Sequence, residues 1–106
     1  MSTSFGLSLE VLEKIEHCLQ KFPELLWVRV YGSRAKGNYE TGSDIDLAFS
    51  SNTDVSASLL AALDALATPY LFDVTHYETI DNSALKEHIY RVGILIYKSP
   101  QFLTPA

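Results

Sequence analysis

Residues 44–50, DIDLAFS, alternate without a break: Ile45, Leu47 and Phe49 fall on one side of an extended chain, Asp44 and Asp46 on the other. Such a segment can only be a strand with one dry face. The preceding β-rich run, LLWVRVY (25–31), ends at Gly32-Ser33, and a polar connector, RAKGNYETGS (34–43), leads back into the aspartates. Two strands joined by a charged turn therefore set the frame into which the rest of the chain must pack.

Around them the pattern is helical and strand-like in turn. SLEVLEKIEHCLQKF (8–22) places Val11, Leu12, Ile15, Cys18, Leu19 and Phe22 at helical spacing, with Ser8 as its cap and Pro23 as its stop. Asn52-Thr53-Asp54 reads as a turn and cap before a second helix over 55–67, VSASLLAALDALA. PYLFDVTHY (69–77) predicts a strand bearing Asp73, DNSALKEHIYR (81–91) a short capped helix, and VGILIYK (92–98) a last strand. This order predicts an α/β (α+β) architecture: a small mixed β-sheet of about four strands with helices packed on it. At 106 residues, without repeats or linkers, residues 1–106 are expected to form a single domain.

Several functions are disfavoured at once. The net charge of −5 argues against direct binding to nucleic acid through a basic surface. A single cysteine, Cys18, allows no internal disulfide and no cysteine metal cluster; it reads as a small core residue and suggests a reducing, cytoplasmic setting. No run approaches the roughly 18 apolar residues of a membrane span, and nothing resembles a signal peptide. GSRAKG has the outline of a P-loop, but Asn38 and Tyr39 stand where that loop needs lysine and serine or threonine. His17, His76 and His88 are expected to be structural or solvated.

What remains is a constellation. Gly32 allows backbone N–H groups to approach a ligand, Ser33 adds a hydroxyl, and Arg34 and Lys36 add positive charge, which suits a phosphate. Asp44 and Asp46 lie two residues apart on a strand, with α-carbons about 6.6 Å apart, close enough to share one cation or bracket two. If the Asp73 strand lies beside them, three carboxylates meet on one surface. Two like charges 4 Å apart cost about 4 kcal/mol at an effective dielectric of 20, so such a cluster calls for cations. Hard oxygen donors favour magnesium or manganese. Taken singly, Gly-Ser is an ordinary turn and Asp-x-Asp an ordinary wet face; together, with a later strand aspartate, they are far more specific.

GSRAKGNYETGSDIDL resembles the signature of the polymerase-beta-like nucleotidyltransferase superfamily, and the short chain resembles its minimal (MNT-type) members, antitoxins that act beside HEPN-domain toxins. The resemblance spans nearly the whole chain, departing at Tyr39-Glu40. It implies the nucleotidyltransferase fold, with Gly32, Ser33 and Arg34 binding the nucleotide, ATP by expectation. It also implies that Asp44, Asp46 and Asp73 are catalytic and bind two Mg2+ ions, or Mn2+ in their place, Asp73 serving as base. The implied reaction is transfer of AMP, or another NMP, to a protein hydroxyl, a tyrosine of a HEPN toxin. The alternative is a non-catalytic antitoxin that neutralises its partner by occlusion. Transfer to a small molecule is a weaker candidate, since the short chain offers no pocket for one. The helix at 55–67, with alanines all round and Asp64 its single charge, is expected to meet a partner or a second copy in a homo-oligomer, the alternative being that its small residues serve close packing on the sheet.

Overall fold

The computed structural model describes residues 7–32 and 44–100. The connector at 33–43 lies outside them, and with it Ser33, Arg34, Lys36, Tyr39 and Glu40. The described elements run α1 (Leu9–Leu19), β1 (Leu25–Tyr31), β2 (Ile45–Ser51), α2 (Ser56–Asp64), β3 (Phe72–His76), a 3-10 turn (Tyr77–Thr79), α3 (Ser83–Val92) and β4 (Ile94–Lys98). This is the expected order with one addition, the 3-10 turn.

Strand order across the sheet is β3-β2-β1-β4. β1 pairs antiparallel with both β2 and β4, while β2 and β3 run parallel. The sheet is therefore mixed, and α2 supplies the crossover that a parallel pair requires. One face holds the main core. Val28 and Val30 of β1, Ile45, Leu47 and Phe49 of β2, and Phe72 of β3 meet Ile15, Cys18 and Leu19 of α1 and Leu59 and Leu63 of α2. A register shift between Leu25 and Trp27 turns Leu25 into this core. The apolar half of the DIDLAFS alternation thus faces inward, as its spacing predicts.

On the opposite face α3 covers the far end of β1. Trp27 meets Tyr77 and Tyr90 edge-on, at 5.0 and 6.1 Å between ring centroids. The Arg29 guanidinium lies 4.5 Å from the Tyr90 ring centre and donates from Nη1 to the Gly93 carbonyl at 3.1 Å. Aromatic faces here take the place of a carboxylate partner for Arg29.

The helix ends show which residues act as stops. Ser8 caps α1, its hydroxyl accepting from the Val11 amide at 3.2 Å, and Asn82 caps α3 in the same way. α2 is shorter than the 55–67 run suggests. Asp54 does not cap it from the N-cap position, which belongs to Val55; instead its carboxylate accepts from the Ser56 amide at 2.9 Å, an Asx turn just outside the helix. The outward side of α2 carries Ala57, Ser58, Ala61 and Asp64. Among the described residues the large exposed apolar side chains lie elsewhere: Leu9, Leu71, Leu85, Tyr90 and Leu95.

At the far end of β2 and β3 a polar knot ties the strands to the 3-10 turn. Ser50 donates to Glu78, whose other oxygen accepts from the Ser51 amide, and His76 Nε2 donates to the Ser51 carbonyl at 2.9 Å. The His76 ring stacks on Phe49 and is buried. It is a structural residue, as expected; His17 is exposed. Among the described residues no helix is long and apolar enough to cross a membrane.

Candidate active site

β1 leaves the sheet at Gly32, whose backbone takes φ +79°, a conformation that side chains with a Cβ rarely adopt. Space imposes the same choice. A Cβ at this position would stand 2.6 Å from Asp46 Oδ2, so only glycine lets the chain turn directly against that carboxylate. Gly32 is where the expected phosphate seat begins; Ser33 and Arg34, which should complete it, lie outside the described residues.

Sheet register brings the aspartates together. Tyr31 pairs with Asp46 across β1 and β2, and Asp46 pairs with Asp73 across β2 and β3, so the three form one row on one face. Asp44 enters the strand two residues before Asp46, on the same side. Asp44 and Asp73 are exposed, whereas Asp46 is half-buried. The strand adjacency on which the sequence argument depended is present.

Electrostatics follow from this row. Burial pushes the Asp46 carboxyl above its ordinary range, and the Asp73 and Asp44 carboxylates push it further in the same direction. Among the described residues no lysine, arginine or histidine forms an ion pair with any of the three. Nor do they form a closed ligand cage: among the described residues no three acidic, histidine or cysteine side chains stand close enough to hold a metal ion. The chain thus presents neighbouring, mutually repelling oxygen donors. Oxygen donors of this kind are chemically apt for a hard divalent cation, whose charge would relieve the repulsion.

One neighbour escaped the sequence reading. The Tyr31 hydroxyl meets the Thr75 hydroxyl at 3.2 Å, beside the carboxylates. Burial raises the Tyr31 phenol above its usual range; the bond to Thr75 opposes this, and Asp46 and Asp73 reinforce it. Alternation could have placed Tyr31 on the face of the aspartates, but only with the strand order in hand.

Residues 13–102 match the family described as Polymerase beta, Nucleotidyltransferase. The chain belongs to this family. A search of curated proteins finds no match. Several solved structures share the nucleotidyltransferase fold. One, described as a toxin-antitoxin with AMP-PNP, is 22% identical with a TM-score of 0.62, covering 85% of this chain and 75% of that one. Another, described as the toxin-antitoxin MntA-HepT, is 19% identical with a TM-score of 0.58, covering 89% and 75%. A third, described as tri-AMPylated Shewanella oneidensis HEPN toxin in complex with MNT antitoxin, is 20% identical with a TM-score of 0.57, covering 87% and 73%. In this chain the Gly32 turn and the Asp46–Asp73 row occupy one end of the sheet.

Proposed function

We propose that this protein is a magnesium-dependent nucleotidyltransferase that moves AMP from ATP to a protein hydroxyl, a tyrosine of a HEPN-domain partner, and so acts as an antitoxin. The observation that carries the reading is the pairing of Asp46 with Asp73 directly beside Gly32, whose backbone turns against Asp46 Oδ2. An occluding protein has no use for three carboxylates that, among the described residues, share one surface with no ion-pair partner. The choice of partner and of AMP rests on the toxin-antitoxin complexes that share the fold, one with AMP-PNP and one with an AMPylated toxin.

In this reading the Gly32 turn, with Ser33 and Arg34, seats the triphosphate, and Asp44, Asp46 and Asp73 would hold two divalent ions. Such ions, when bound, would neutralise phosphate charge and acidify the attacking hydroxyl. Asp73, exposed at the edge of the sheet, is open to an acceptor arriving from outside and takes the hydroxyl proton. The acceptor oxygen then bonds to the α-phosphorus while the bond to the bridging oxygen breaks. Pyrophosphate leaves, and one nucleoside monophosphate remains on the acceptor.

The test is mass spectrometry of the HEPN-domain partner after incubation with this protein, ATP and magnesium. A gain of one or more AMP units, lost with Asp44→Asn, is the expected result. Neutralisation that survives Asp44→Asn with no gain in mass would establish occlusion instead.

A further inference from the structure

The bond between Tyr31 and Thr75 joins two strands that are not neighbours. β1 and β3 lie on either side of β2, and the two side chains meet over it. Tyr31 pairs with Asp46, whereas Thr75 pairs with Ala48, so the phenol crosses β2 diagonally, immediately behind Asp46. Ala48 permits this crossing. It stands opposite both Arg29 and Thr75, is 0% exposed, and offers only a methyl group where a longer side chain would block the path.

The strap has something to hold. Among the described residues β3 is an edge strand, paired on one side only, and Asp73 is exposed upon it. Thr75 stands two residues beyond Asp73 on the same face, so anchoring Thr75 fixes the part of β3 from which Asp73 projects. Tyr31 in turn is adjacent to Gly32, where the backbone closes against Asp46. One hydroxyl contact thus ties the Asp73 strand to the Gly32 turn across the strand that carries Asp46.

We propose that the Tyr31–Thr75 bridge is a positioning device that keeps Asp73 within reach of the cation held by Asp46. The proposal rests on the nucleotidyl-transfer reading of the site, because it presumes that the two carboxylates share an ion. Tyr31 acts here through Asp73 and is a positioning residue. The ring can remain while the function is lost, since only the hydroxyl reaches Thr75.

Titration of the purified protein with Mn2+ alone, followed by electron paramagnetic resonance, tests this without any acceptor. A single net hydrogen bond corresponds to about 3–10-fold in an equilibrium constant, so Tyr31→Phe should weaken Mn2+ binding by about that factor. Thr75→Val should do the same, Thr75→Ser should retain wild-type affinity, and the double variant should be no weaker than either single one. Thermal melts of the same proteins supply the control. A lowered Tm with unchanged Mn2+ affinity would make the bridge a packing contact and overturn the proposal. Two failures remain distinguishable. If Tyr31→Phe binds as wild type does while Asp46→Asn does not bind, this inference alone falls. If wild type binds no better than Asp46→Asn, the metal reading of the site falls and takes the inference with it.

Discussion

Asp46 is the residue at which stability and chemistry conflict. Burial and two neighbouring carboxylates raise its proton affinity in the folded state, so ionising it opposes folding. The cost is absent below the unfolded-state pKa, where the group is protonated in both states. It grows as pH rises toward the elevated folded value and is complete above it. At neutral pH, without divalent ions, Asp46→Asn should therefore raise Tm, by no more than a few degrees because solvent still reaches the group. Magnesium should raise the Tm of the wild type and leave that of Asp46→Asn nearly unchanged. Differential scanning calorimetry with and without magnesium checks both. An Asp46→Asn protein that melts lower than wild type in chelator would show that the carboxylate is satisfied by partners after all. The shared face of Asp44 and Asp46 was legible from alternation, because a strand has a period of two; the place of Asp73 beside them depended on strand order. Tyr31's link to Thr75 was not legible, since it depends on which strands lie either side of β2.

At the scale of elements, α3 depends on Arg29 for its seat. The guanidinium spans Trp27 and Tyr90 and reaches the Gly93 carbonyl at the end of that helix. Arg29→Lys keeps the charge but loses the planar stacking surface and the fork of donors. We expect a loss of about 1–2 kcal/mol, together with faster amide exchange in α3 than in α1 or α2. Hydrogen-exchange mass spectrometry would measure this; uniform change across all three helices would argue against a local role. Element boundaries were the less legible part of the sequence. The run 55–67 reads as helix through its alanines, yet α2 ends at Asp64, ahead of Pro69. Likewise 69–77 reads as one strand, but Tyr77 turns out of β3 into the 3-10 segment and packs on Trp27. Tertiary aromatic contacts overrode a local β preference there.

Across the whole molecule, both the candidate site and the core hang from β2. Phe49, 0% exposed, lies in the core shared with α1 and α2, and its other neighbour is the His76 ring. Phe49→Ala should cost about 3–5 kcal/mol, a large share of the 5–15 kcal/mol that stabilises a typical domain. A fall in the urea midpoint with an unchanged slope is the expected readout. The architecture was legible as a whole because the β-rich runs, the alternation of 44–50 and the helical spacing of 8–22 fall in an order that one mixed sheet accommodates. The parallel pairing of β2 with β3 was only a condition in the sequence argument, since nothing local to either strand specifies it.

That pairing also dictates the order in which the site can come into being. β1 and β2 are consecutive antiparallel strands, so Gly32 meets Asp46 by closing one short connection. Asp73 must wait until α2 has formed and carried the chain over the sheet to lay β3 alongside β2. Loop-closure entropy places that step later on the folding pathway. A nascent or partly folded chain would therefore own the turn and two carboxylates while lacking the third. The third carboxylate would then join the other two only when β3 docks beside β2.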